Sequence, residues 1–131
     1  MIKVLLVDDE ENFREALKRR LGKRNMEVHG MNRGETALEF LDHHSVDVVI
    51  LDMRMPGMNG LETLRVIKER VPETEVILLT GQVDLESAMR GLDLGALDYC
   101  IKPMDIDDLQ NKIVDAYERK RLRQEGAGGS R

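Results

Sequence analysis

Residues 46–71 read VDVVILDMRMPGMNGLETLRVIKERV, and this stretch decides the fold. Val46 to Leu51 is almost continuously apolar and β-branched, the pattern of a strand buried on both faces. Asp52 ends the run. Met53 to Gly60 is a loop rich in turn residues. Leu64, Ile67 and Val71 then fall at helical spacing, and Pro72 closes the helix. A strand, a polar residue at its carboxyl end, a loop and an amphipathic helix make one β-then-α unit.

The same unit recurs outward in both directions. Ile2 to Val7 is a second continuous apolar run, followed by Asp8, Asp9 and Glu10, acids suited to the positive end of an opening helix. Phe13, Ala16, Leu17 and Leu21 form its stripe, with Gly22 near its end. A weaker strand spans Met26 to Met31; Asn32 is placed to cap a helix whose inner face holds Ala37, Leu38 and Leu41. Downstream, Glu75 to Leu79 is a strand ending at Thr80-Gly81, and Leu85, Ala88, Met89 and Leu92 mark a helix. Leu97 to Ile101 is a short strand ended by Lys102-Pro103. Ile106, Leu109, Ile113 and Ala116 give the stripe of a long final helix, with Arg119, Lys120, Arg121 and Arg123 in its last turns. Five such units predict an α/β domain: a mainly parallel sheet with helices on both faces and right-handed crossovers. Residues 1–124 are expected to form it, and 125–131, containing GAGGSR, to be a flexible tail or linker remnant.

Composition narrows the function. The 131 residues carry 20 Lys+Arg against 25 Asp+Glu, a net charge of −5, which suits neither nonspecific nucleic-acid binding nor an anionic membrane. No apolar run approaches the roughly 20 residues of a membrane helix. The N-terminus enters a strand at once without a secretory pattern, and Cys100 is alone; both suit a reducing cytoplasm and exclude an intramolecular disulfide or cysteine zinc cage. With no Trp, two Tyr and two Phe there is little material for stacking bases or a flavin.

In open α/β sheets the working crevice lies beyond the carboxyl ends of the strands. Four strand ends carry polar groups there: Asp8 and Asp9, Asp52, Thr80, and Lys102. If the first and third strands are neighbours, about 4.8 Å apart, three carboxylates share one crevice. Such a cluster raises the pKa of one member or demands a cation, and a hard dication with oxygen ligands, Mg²⁺, is the natural one. His43 and His44 are adjacent, diverge by about 100° on a helix and read as surface residues. The acidic site suits phosphoryl transfer: Asp52 as nucleophile, with Thr80 and Lys102 supplying a hydroxyl and an ammonium to the phosphoryl oxygens. Each residue alone has a plainer reading as a helix-start acid, a turn residue, a cap or a solvated lysine. Their shared position at one sheet edge favours the site.

From Ile2 to about Tyr117 the chain resembles the receiver domain of two-component response regulators, the chemotaxis regulator among them. The motifs are LLVDDEENFREAL (5–17), RGETALEFL (33–41), DVVILDMRMPGMNGLETL (47–64), VILLTG (76–81) and GALDYCIKP (95–103). The resemblance implies the flavodoxin-like strand order 2-1-3-4-5. It implies that Asp52 accepts a phosphoryl group from a phosphohistidine on a sensor histidine kinase or phosphotransfer protein. Asp9, Asp52 and the Arg54 carbonyl would ligate Mg²⁺, with Asp8 acting mostly through water. Thr80 and Tyr99 would form a switch acting on the surface of the fourth helix, fifth strand and fifth helix. Arg54 and Gln82 would tune water access, and Lys102-Pro103 would be cis. The expected protein is a self-phosphorylating switch and not a turnover enzyme, with an unread output, a phosphorylation-dependent dimer among its states, and no direct contact with nucleic acid or membrane. Three alternatives stand beside it: a Mg²⁺-dependent aspartate-nucleophile phosphatase, whose DxD motif is missing from VDDE; a flavodoxin-like nucleotide-binding module, which wants a Ser/Thr/Gly-rich phosphate loop where Asp8 and Asp9 stand; and a receiver-like module that only docks partners. Tyr99 as plain packing stays open. Cys100 reads as a small core hydrophobe, and Met53, Met55 and Met58 as packing beneath the crevice or a partner contact.

Overall fold

The computed structural model describes residues 1–129. Strands β1 (Ile2–Val7), β2 (Met26–Met31), β3 (Val48–Asp52), β4 (Glu75–Thr80) and β5 (Asp98–Ile101) alternate with helices α1 (Glu11–Gly22), α2 (Gly34–His43), α3 (Gly60–Arg70), α4 (Leu85–Asp93) and α5 (Ile106–Gly129). A single 3₁₀ turn, Gln82–Asp84, precedes α4. All pairings are parallel and the order is β2-β1-β3-β4-β5, as the resemblance implied.

Because side chains alternate across a strand, the sheet divides the core in two. Leu5, Val7, Val49, Leu51, Val76 and Leu78 face α2, α3 and α4, meeting Leu38, Leu64, Ile67 and Ala88. Val4, Leu6, Val48, Ile50, Ile77 and Leu79 face α1 and α5, meeting Leu17, Leu21, Leu109 and Ile113. Each large aliphatic side chain so enclosed contributes about 1.5–3 kcal/mol of transfer free energy.

The element edges depart from the sequence reading at instructive places. Asn32 does not cap α2: the N-cap position is Arg33, in extended conformation and without a side-chain cap bond, while the Asn32 carboxamide oxygen accepts from the Thr36 hydroxyl at 3.4 Å. Asp8, Asp9 and Glu10 precede α1 instead of opening it; the Asp8 carboxylate accepts the Glu10 amide at 2.9 Å and turns the chain. Met89, on the inner stripe of α4 by spacing, is 51% exposed; Gly91 takes the buried position, where an added Cβ would lie 2.3 Å from a Leu78 methyl. The basic residues of α5 are not in its last turn, because the helix runs on to Gly129; their partners are carboxylates, Arg119 with Asp115 and Arg121 with Glu118 and Glu125. α5 thereby enters the 125–131 stretch read as a tail; residues 130 and 131 lie outside the described residues.

Two further contacts fasten α5 to the amino-terminal edge of the sheet. Lys120 continues the buried stripe, donating to the Val46 carbonyl at 3.3 Å and to Asp47 at 3.0 Å. Arg123 pairs with Glu75, which Lys68 approaches at 3.7 Å from the other side. Among the described residues no helix is long and apolar enough to cross a membrane.

Candidate functional site

The opposite edge of the sheet collects the polar residues. Ladder hydrogen bonding continues one step past three strands: the Asp8 amide donates to Met31 O at 3.0 Å, Met53 to Leu79 O at 2.9 Å, and Lys102 to Thr80 O at 2.8 Å. The backbone under each site residue is therefore set by the sheet. β3 lies between β1 and β4, so Asp52 sits between the acid pair and Thr80.

Asp8, Asp9 and Asp52 each offer a carboxylate oxygen, and the three oxygens lie within 4.8 Å of one another. Asp8 and Asp52 are buried, and Asp9 is exposed at the mouth. The Lys102 ammonium donates to Asp8 Oδ2 at 2.7 Å and stands 3.7 Å from Asp52 Oδ1. It also lies over the Phe13 ring, 4.3 Å from the centroid. Arg14, one turn into α1, donates to the Asp8 carbonyl at 2.8 Å.

Burial, reinforced by the neighbouring Asp8 charge and more weakly by Asp9, raises the Asp52 pKa from the ordinary 3.8 to about 6. Lys102 and the Arg54 amide, which donates to Asp52 Oδ1 at 3.4 Å, pull the other way and do not cancel it. Three carboxylates face one ammonium, a donor set of oxygens that fits a hard divalent cation and lacks the His or Cys of a zinc site.

The loop after Asp52 is held from below and from its far end. Met53 and Met55 are buried in the core and Met58 packs against it. Gly57 has φ +74°, a left-handed conformation that glycine adopts freely. A Cβ on Gly60 would lie 2.7 Å from Met53 Cα and 2.9 Å from Asp52 O, so the start of α3 can press against the backbone of Asp52 and Met53 only without a side chain. Asn59 caps that helix, accepting the Glu62 amide at 3.0 Å while its NH₂ donates to Glu62 Oε1 at 2.9 Å.

The remaining site residues are less engaged. The buried Thr80 hydroxyl donates to Gly81 O at 3.0 Å. Tyr99 is half-buried against the α2–α4 side of the core; Lys112 donates to its carbonyl at 2.6 Å and lies 5.7 Å from its ring centroid. Gln82 is exposed in the 3₁₀ turn, Cys100 is buried, His43 and His44 are exposed, and Lys102–Pro103 is cis. Sequence reasoning missed Asp84, whose Oδ2 lies 2.6 Å from Arg54 Nε, and the stacking of Phe13 under Lys102. Phe13 was legible only as a helix-stripe residue, and no one-dimensional spacing links Arg54 to Asp84.

A five-stranded 2-1-3-4-5 sheet with an acidic crevice at its carboxyl edge defines the flavodoxin-like receiver class. The chain belongs to the response regulator receiver domain family, whose model matches residues 4–114. Among curated proteins it is 39% identical over 124 residues to regulatory protein AtoC of Escherichia coli (strain K12), covering 94% of this chain and 27% of that protein. It is 36% identical over 120 residues to response regulator ArlR of Staphylococcus aureus, covering 92% of this chain and 54% of that protein. The chain thus spans about a quarter of the one and about half of the other. A solved receiver domain protein from Clostridium thermocellum superposes with a TM-score of 0.89 at 37% identity, covering 93% of this chain and 98% of that one. NtrX from Brucella abortus gives 0.91 at 28% identity, covering 97% of this chain and 30% of that one.

Proposed function

We propose that the chain is a phosphorylation switch in which Asp52 takes a phosphoryl group from a phosphohistidine on a sensor histidine kinase or phosphotransfer protein in the cytoplasm. The observation that carries this reading is the convergence of the Asp8, Asp9 and Asp52 oxygens within 4.8 Å around a single lysine. Asp8, Asp9, Asp52 and the Arg54 carbonyl would hold Mg²⁺. When bound, it offsets the repulsion between carboxylates and phosphate and polarises the phosphoryl oxygens.

The protein's own groups do the rest. An Asp52 oxygen bonds to phosphorus as the P–N bond to imidazole breaks, its electron pair returning to the ring nitrogen. Asp52 must be ionised for this, and a pKa of about 6 leaves it largely so at neutral pH. Lys102, already 3.7 Å away, is placed to pair with the new dianion. The Thr80 hydroxyl, spent locally on Gly81 O, gains a stronger acceptor in the phosphoryl group. Its movement vacates space for Tyr99 and biases the α4–β5–α5 surface, a two-state shift. Val83, Met89 and Ile101, exposed apolar residues before, on and beside that surface, suit a partner or a second copy responding to the change. The switch dephosphorylates itself and is not a turnover enzyme.

The test is incubation with acetyl phosphate and Mg²⁺, read by intact-protein mass spectrometry. The native chain is expected to gain one phosphoryl group and Asp52→Ala none; equal labelling of the two overturns the assignment.

A further inference from the structure

The geometry points to Asp84 as a positioning residue for the phosphoryl site, acting through Arg54; this rests on the phosphoacceptor reading above. Arg54 is two residues after the acceptor, and its backbone amide donates to Asp52 Oδ1 at 3.4 Å. Its guanidinium, however, is committed elsewhere: Nε lies 2.6 Å from Asp84 Oδ2, on the connection between β4 and α4. The ion pair therefore joins the loop carrying the acceptor to the turn that follows Thr80.

Among the described residues the Asp84 side chain has no other ion-pair or hydrogen-bond partner. It occupies the N-cap position of α4, yet its side chain makes no cap hydrogen bond; the turn is closed by the Asp84 amide on Gly81 O at 3.0 Å. The arginine side chain is 72% exposed and that of Asp84 19%, so water reaches the guanidinium and the pair is modest in strength. A phosphoryl group on Asp52 brings nearly two negative charges within the reach of the same guanidinium, against one on Asp84. Arg54 is then divided between two anions, and Asp84 sets the share left to the phosphoryl group.

That share controls the lifetime. Hydrolysis forms a bond from water oxygen to phosphorus as the bond to the Asp52 oxygen breaks; the electron pair returns to the carboxylate, phosphate departs and the water's proton passes to solvent. A guanidinium on the phosphoryl oxygens occupies the approach that water needs. Asp84, by holding Arg54 back, keeps the state short-lived.

The experiment charges the full chain with acetyl phosphate and Mg²⁺, removes the donor, and follows loss of the phosphoryl group by mass spectrometry. The native chain is compared with Asp84→Asn, Asp84→Ser, Arg54→Ala and the Arg54→Ala/Asp84→Asn double variant, with a thermal melt of each as the folding control. Both Asp84 variants are expected to decay more slowly, by roughly threefold, the range a single exposed ion pair commands. In the Arg54→Ala background Asp84→Asn is expected to change nothing, because no guanidinium remains to be released. Unchanged or faster decay in folded Asp84 variants, or a slowing that persists without Arg54, overturns this role while leaving the acceptor assignment intact. No incorporation by the native chain overturns the acceptor assignment, and this role with it.

Discussion

At the scale of single residues, Asp52 combines two demands that oppose each other. The proposed reactivity toward phosphorus wants an ionised, partly desolvated carboxylate, and desolvation beside Asp8 makes ionisation costly. With a folded-state pKa of about 6 against 3.8, the folded chain binds this proton more tightly than the unfolded chain. Stability therefore falls as pH rises from about 4 to 6, and the loss is complete above that window. Its size is on the order of 2 kcal/mol at pH 7, less than the full shift implies because water reaches one edge of the carboxylate. In EDTA, Asp52→Asn is expected to be more stable than the native chain at pH 7, with the difference shrinking toward pH 4. Urea titrations at several pH values check this; a difference independent of pH rules out Asp52 as the source. The place of Asp52 in the crevice was legible in sequence because the residue ends an apolar run. The role of Asp84 was not, since its significance lies in a partner 30 positions away and across two elements.

At the scale of elements, the loop between β3 and α3 is shaped by what is missing from Gly60. The neighbours of an added Cβ are backbone atoms of Asp52 and Met53, which cannot swing aside as a side-chain end does. Gly60→Ala is expected to cost about 1–3 kcal/mol in chemical denaturation and to slow acetyl phosphate labelling of Asp52. Labelling at the native rate by a fully folded variant would show that the loop tolerates the displacement. The strands were readable from sequence because a parallel sheet covered on both faces needs continuous apolar runs, as in Val48 to Leu51, all fully buried. Helix boundaries were less readable. Asn32 has the right chemistry for a cap, but capping depends on which residue turns extended, and that is Arg33. Met89 fits the stripe by spacing, but α4 is seated closely by Gly91 against Leu78, which turns the methionine outward.

At the scale of the whole molecule, the two edges of the sheet divide the labour. The carboxyl edge carries the acidic crevice, and the amino edge is fastened by ion pairs from α5 to Asp47, just before β3, and to Glu75 at the start of β4. Lys120 is almost fully buried and satisfies both the Val46 carbonyl and Asp47. Lys120→Met keeps much of the packing and removes both bonds, so a loss of about 1–3 kcal/mol is expected. High salt should recover none of it, because the contact is shielded from solvent. Thermal melts in low and high salt measure both points, and a stability change that tracks salt places the lysine in water instead. Nothing in the local sequence marked Lys120 off from Arg119 or Arg121, which serve exposed pairs; only the four-residue step from Ala116 singles it out.

The ladder bonds beneath Asp8, Met53 and Lys102 have a biological corollary. Those bonds need strands from widely separated stretches of this domain, so a partly folded or misfolded polypeptide does not assemble the crevice. On the phosphoacceptor reading proposed above, competence to be charged would be a certificate of complete folding of this domain, and damaged copies would fall silent instead of answering falsely.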